Sequence, residues 1–259
     1  MLRVFYKEAK YEFLKALRFP GFSLPVILFP VMFYILFGLL LPTSQAANKA
    51  MATYLLGTYG AFGVMGVSLF GFGVSIAQER GYGWLELKQA SPMPPMAYFV
   101  AKLIMAMLFS LIVVSLLMAL GLSFGHVQLA AGQLARVAGI LILGSVPFGS
   151  MGIMIGYVTK PTSTPAIVNL MYLPMSFFSG LWVPLEFFPE WLQKAAPFLP
   201  PYHLSRLALG VFGASEGHWA TNVAALAAFT TVFLAVAWLA SGSRLAWSRP
   251  SRAAAPAAN

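Results

Sequence analysis

Charge is scarce in this chain, and one stretch holds much of it. Glu79, Arg80, Glu86 and Lys88 fall close together in the segment 78–102, which reads Q-E-R-G-Y-G-W-L-E-L-K-Q-A-S-P-M-P-P-M-A-Y-F-V-A-K. Trp84, Leu85 and Leu87 give the segment an apolar side, and Ser91-Pro92 and Pro94-Pro95 stop its helix and set the entry of the next span. A short amphipathic helix with a stiff exit suits docking in a partner's groove and passing on a push. A solvated interfacial loop with snorkelling charges is an equally good reading of the same residues.

Elsewhere the residues for bond chemistry are missing. There is no G-x-x-x-x-G-K-[S/T] loop to cradle phosphates, so ATP is not bound in that way. H-E-x-x-H and G-x-S-x-G are absent, no Asp exists for a carboxylate dyad, and the lack of cysteine removes thiolate metal sites, disulfides and a thiol nucleophile. His126, His203 and His218 fall in expected external loops without metal-ligand spacing, and each is expected to be interfacial or solvated. No catalytic, cofactor-binding or metal-binding residue is assigned.

The elements that position these residues follow from composition. Of the 259 residues 59% are hydrophobic and 9% charged, against roughly 25% charged in a soluble domain. A surface that apolar needs a bilayer as its solvent. The mean hydropathy is +0.80. The net charge of +9 lies between apolar blocks, as the membrane expectation requires, and is not read as a nucleic-acid surface.

Six apolar stretches, at 22–41, 53–77, 103–125, 137–157, 166–185 and 220–240, contain no Asp, Glu, Lys or Arg. Each is long enough for the ~20 residues that a helical crossing takes. The expectation is an all-α polytopic membrane protein with six transmembrane helices. Twelve Lys and Arg lie on the side of the N-terminus and four on the other, so both termini are expected in the cytoplasm.

The organisation expected is an interface helix at 1–20, a six-helix domain at 21–245 and a disordered tail at 246–259. In the first segment Leu2, Phe5, Ala9, Phe13 and Leu17 recur at helical steps, with Lys7, Lys10, Lys15 and Arg18 offset from them. A cleaved signal near Ser44-Gln45-Ala46 fits less well, because the apolar core is long and Glu8 and Glu12 sit in the leader.

The second stretch repeats glycine at Gly57, Gly60, Gly63 and Gly66, a face for close helix packing or the border of a pathway. Stretches without ionisable groups also disfavour an ion-coupled mechanism, which needs such groups within the membrane.

The charged loop resembles that of the ABC-2 family of exporter permeases, which includes daunorubicin-type drug exporters and nodulation-factor and polysaccharide exporters. The matching residues are Glu79-Arg80, Gly83-Trp84-Leu85, Ala90-Ser91-Pro92 and Lys102. A second block matches as well: Phe178-Ser179-Gly180-Leu181-Trp182-Val183-Pro184, then Phe188-Pro189-Glu190-Trp191-Leu192, then Pro197, Pro200 and Pro201.

The resemblance implies a permease subunit in the inner membrane that pairs with a second copy, as homodimer or heterodimer. A separate nucleotide-binding ATPase would hold ATP and Mg. By position, Glu79, Arg80, Gly83, Trp84, Glu86, Leu87, Ser91 and Pro92 would couple to that ATPase. Gly180, Trp182, Pro184, Pro189 and Trp191 would belong to an external segment that caps the exit. Two other classes stand behind this one: a secondary transporter or channel working without ATPase, and a membrane-embedded lipid enzyme, for which no polar cluster is visible.

Overall fold

In hydrocarbon every peptide group has to be satisfied within the protein, and these residues do so with helices. The computed structural model describes residues 2–41, 44–91, 93–213 and 218–241. Pro92 and the tail expected at 246–259 lie outside the described residues.

The first helix is α1 (Leu2–Leu17), followed by α2 (Pro20–Phe33), which continues as a π-helical stretch, Tyr34–Leu40. Next comes α3 (Gln45–Ser68), which runs through a second π-helical stretch, Leu69–Val74, into α4 (Ser75–Gly81). The chain goes on through α5 (Trp84–Ala90), α6 (Pro95–Ser123), α7 (Ala131–Leu143), α8 (Ser145–Val158) and α9 (Thr164–Phe178). It ends with α10 (Glu190–Ala195), α11 (Pro200–Val211) and α12 (Trp219–Ser241).

Local chemistry accounts for the breaks. Ser44, placed in the sequence beside a candidate cleavage site, caps α3 by accepting from the Ala47 N–H at 3.2 Å. Pro25 and Pro30 inside α2 each remove a backbone donor before the π-helical stretch begins. Pro147 does the same for the carbonyl of Leu143, four residues back, where α7 and α8 part at Gly144.

Five segments are long and apolar enough to cross a membrane: Pro20–Leu40, Lys49–Gly81, Met96–Ser123, Ala131–Val158 and Trp219–Ser241. They correspond to five of the six expected spans. The continuous span expected at 166–185 does not form. Helix α9 has 15 residues, roughly 22 Å against the ~30 Å of hydrocarbon.

Its end is set by Gly180, whose φ of 75° closes a C-terminal cap. The Leu181 N–H reaches back to the Ser176 carbonyl at 3.1 Å and Leu181 is buried, so the chain turns away before Trp182. The helices also outrun the charge-free stretches, which brings Glu79 and Arg80 into the long second segment and Lys102 into the third.

Lys49–Gly81 is the least apolar of the five, with mean hydropathy 1.7, yet 83% of its most apolar 18-residue window is buried, against 6% for that of Trp219–Ser241. Helix α3 is therefore the centre of the bundle, and α12 lies on its outside. The glycines explain how so many neighbours reach α3. A methyl group at Gly60 would lie 2.5 Å from Leu141 of α7, at Gly63 2.6 Å from Val113 of α6, and at Gly66 2.7 Å from the Tyr172 hydroxyl of α9. At Gly57 it would meet Phe212, beyond α11, at 3.2 Å. The threefold spacing turns one small position toward each neighbour in succession, and close packing is what these glycines permit. Gly152 and Gly156 of α8 lie against backbone atoms of Gly73 in the same way.

Candidate functional site

The charged loop begins inside the bundle. Glu79, on α4, is buried between α1 and α6. One carboxylate oxygen, Oε1, accepts from Lys15 Nζ, from Ser75 Oγ at 3.3 Å and from Lys102 Nζ at 3.3 Å. The other, Oε2, accepts from the Tyr98 hydroxyl at 2.7 Å. Lys102 is fully buried and donates to Glu12 Oε1 and to Ser75 Oγ, each at 2.6 Å. Glu12, Lys15, Glu79 and Lys102 thus form a knot of two anions and two cations, neutral as a set.

Such a set can be tolerated away from water because each charge meets an opposite one and the remaining lone pairs are bonded. Burial pulls the Lys15 ammonium toward a lower pKa, but Glu12 and Glu79 outweigh it and hold it above its ordinary 10.5. A second tie between α1 and the loop is the ion pair of Glu8 with Lys88, whose ammonium also sits 4.8 Å from the Tyr98 ring centroid.

Arg80 points the other way. Its guanidinium donates to the carbonyl of Tyr157 at 2.6 Å and to that of Thr159, closing the C-terminal end of α8, where unpaired carbonyls and the helix dipole favour a cation. Consecutive residues therefore fasten the loop on opposite sides, Glu79 to α1 and α6, Arg80 to α8.

The accessible part of the loop lies around and after Gly83, whose φ of 73° lets the chain reverse direction into α5. Tyr82, Trp84 and Leu87 are exposed at 70%, 49% and 70%, and Glu86 and Ser91 are exposed beside them. The Tyr82 and Trp84 rings lie 5.6 Å apart, with Lys15 Nζ 5.8 Å from the Trp84 ring. Of the eight loop residues singled out in the sequence, then, Glu79 and Arg80 act inside the fold, while Trp84, Glu86, Leu87 and Ser91 face outward.

Above the knot opens a cavity of about 820 Å³ between α2 and α9. Glu12, Lys15, Ser75, Gln78 and Glu79 line one end together with Trp84, and Trp182 lines it as well. Between them the wall is largely aromatic, with Phe22, Phe29, Phe33, Phe62, Phe70 and Tyr172, and Asn169 as a polar point.

Trp182 stands 5.5 Å from Phe33 and 5.7 Å from Phe62, ring centre to ring centre, and its Nε1 is buried without a hydrogen-bond partner. The same indole borders a smaller apolar cavity of about 330 Å³ with Phe37, Met51 and Phe187. The carbonyl of Gly180 accepts from the Tyr54 hydroxyl at 2.9 Å, which fixes the turn that delivers Trp182. Pro184 comes two residues later, half-buried, while Pro189 and Trp191 lie exposed on the far segment.

His203 corrects the sequence expectation. It is buried rather than solvated, with Nδ1 2.9 Å from Asn222 Oδ1 of α12 and Nε2 2.8 Å from the Pro197 carbonyl. Helix α11 thereby belongs to the bundle. His126 and His218 are exposed as expected.

Sequence reasoning also missed that Glu12, Lys15 and Lys102 meet Glu79. The available signal was the pair of acids four residues apart in an otherwise basic leader, because an acid there asks for an internal cation.

Long apolar helices around a glycine-rich centre, with an inner groove and an outward-facing charged loop, have the architecture of a multi-pass membrane domain. The model of the ABC-2 type transporter family matches residues 4–213, and the chain belongs to that family. It is a multi-pass membrane subunit of a transporter, and the family normally works with an ATPase partner. The chain is also similar to a protein of Bacillus subtilis (strain 168) named "Putative transport permease YvfS". The two are 25% identical over 233 residues, which cover 90% of this chain and 95% of the relative.

Proposed function

We propose that this chain is the permease subunit of an ATP-binding-cassette exporter and that its cargo leaves the cytoplasm along the groove between α2 and α9. The observation that carries the reading is the position of that groove. It is lined at one end by the knot and Trp84 of the charged loop, and it extends past a wall of aromatic rings to Trp182. A push on the loop is thus delivered where the groove begins.

In this reading a separate nucleotide-binding ATPase, holding ATP and Mg, docks on Tyr82, Trp84, Glu86, Leu87 and Ser91. Glu79 and Arg80 pass its movement to α1, α6 and α8. Helix α9, extended by the turn to Pro184, serves as a short sixth crossing, with both termini in the cytoplasm of a cell whose inner membrane holds the complex. A second permease copy, identical or homologous, faces the open side of the groove. An apolar wall with a buried free indole N–H suits an amphiphilic cargo such as a drug, a lipid or a lipid-linked saccharide.

The test is co-expression with a candidate nucleotide-binding ATPase from the same organism. The complex should co-purify, and Trp84→Ala with Leu87→Ala should abolish ATPase stimulation while membrane insertion persists. Export and stimulation at the normal level in that double variant would refute the coupling role.

One observation favours a second reading, a transporter without ATPase: ionisable Glu12, Lys15 and Glu79 line the groove's end, just beyond the charge-free stretches of the sequence. Cargo flux in proteoliposomes lacking any ATPase would establish it.

A further inference from the structure

Helix α1 sorts its charges by face. Both of its acids turn inward and are spent there, Glu8 on Lys88 and Glu12 on Lys102. Lys15, half-exposed, reaches back to Glu79 beside them. The remaining bases, Arg3, Lys7, Lys10 and Arg18, are exposed, and no side-chain partner is found for them among the described residues. Steps of four, three and eight residues place them within about 80° of one another around the helix axis. Tyr6 and Leu17 flank the stripe on one side, Tyr11 and Val4 on the other, with exposures of 69%, 44%, 64% and 38%.

Position and charge both indicate what covers this face. Helix α1 ends at Leu17 and the first crossing begins at Pro20, so the stripe cannot stand far from the bilayer surface. Its charge is purely cationic, because the fold has withdrawn every neighbouring anion, and its rims carry the apolar and tyrosyl side chains that settle at headgroup depth.

We propose that the outer face of α1 is a docking surface for anionic phospholipid headgroups, with Arg3, Lys7, Lys10 and Arg18 as the contacts. Surface cations attract an anionic leaflet by roughly a factor of five each, so four of them can gather such lipids around the helix. Because Glu8, Glu12 and Lys15 tie α1 to the charged loop, the lipid would also hold that loop's inner end in place. The lipid contact itself does not depend on the ATPase reading.

The chain has no cysteine, so Tyr11→Cys gives a single labelling site on the stripe's rim. The full-length protein, labelled there with a fluorophore, is reconstituted in equal mixtures of phosphatidylcholine and phosphatidylglycerol, with one lipid or the other carrying brominated chains as quencher. Brominated phosphatidylglycerol should compete for the site at least about fivefold better than brominated phosphatidylcholine, and the preference should fade with added salt. It should vanish when Arg3, Lys7, Lys10 and Arg18 are all changed to Gln, and it should be absent for a label at Tyr82→Cys on the loop.

No preference in the parent protein would overturn the proposal. So would a preference indifferent to salt, or one that survives the fourfold change. Quenching by neither lipid would overturn it too, because it would show that the membrane does not cover the face. Loss of the preference on adding free glycerol phosphate would assign the site to a soluble anion. The salt titration needs no variant, so the test stands even if the fourfold change impairs insertion.

Discussion

Lys102→Met tests the charged knot most directly. Methionine keeps the length of the lysine stem and removes the ammonium that bonds Glu12 at 2.6 Å and Glu79 at 3.3 Å. The knot then carries two carboxylates, 7% and 3% exposed, against one half-exposed Lys15, whose Nζ lies 3.9 Å from Glu12. Leaving a buried charge without its partner costs about 3–5 kcal/mol. At about 2–4 °C per kcal/mol for a chain of this size, the unfolding midpoint should fall by about 6–20 °C. Intrinsic tryptophan fluorescence during heating in lipid nanodiscs reads that shift. Adding Glu12→Gln restores neutrality, and the double variant should recover about 1–3 kcal/mol relative to the sum of the single changes. A single variant within about 1 kcal/mol of the parent, or strictly additive effects, would refute the claim that these groups stabilise one another.

Three further outcomes rest on the same geometry. Gly180→Ala puts a Cβ on a φ of 75° and 2.5 Å from Leu185 Cγ, so it should lower stability by at least about 1–2 kcal/mol, measured by the same thermal assay. Arg80→Ala frees the carbonyls of Tyr157 and Thr159 and should speed amide exchange at the end of α8 while leaving exchange in α11 unchanged. Lys15 has a folded-state pKa above 10.5, so its contribution is fully present below that pH and is lost as pH rises through the higher value. Fluorescence from Trp84, beside Lys15, should accordingly stay constant from neutral pH up to about 10 and change only beyond it.

The bundle itself was legible in the sequence because a crossing helix announces itself by length and apolarity. Five of the six stretches became such helices, and the glycine repeat at 57–66 fell where neighbours crowd the central helix. The stretch at 166–185 misled because hydropathy continues through Gly180 and Leu181, while the helix is ended by a backbone conformation that composition does not record. His203 looked solvated for a related reason: loop position and histidine's polarity pointed outward, but a pair of carbonyl oxygens, from Asn222 and Pro197, waited inside. At the charged loop, sequence proximity grouped Glu79 and Arg80 with Trp84 and Leu87. A helix turns successive residues by about 100°, so neighbours in sequence were distributed to α1, to α8 and to the outside.

That distribution changes what a coupling element has to be. A loop whose charged residues all faced a partner would bind it well and pass little on, because flexible links absorb displacement. Here the outward residues Trp84 and Leu87 are separated from Glu79 only by the turn at Gly83, and Glu79 is held by groups from α1 and α6 as well as its own helix. Arg80 adds α8. Packed interiors resist gradual deformation and move as bodies, so force on the loop would shift these helices together and alter the groove that Glu12, Lys15 and Glu79 border. Distances from labels on α1 and on α8 to a third label on α11, measured with and without nucleotide on the proposed ATPase partner, discriminate the cases. Concerted movement with the α1-to-α4 distance unchanged is expected, whereas movement of α5 alone would mean that the knot anchors the loop without transmitting anything.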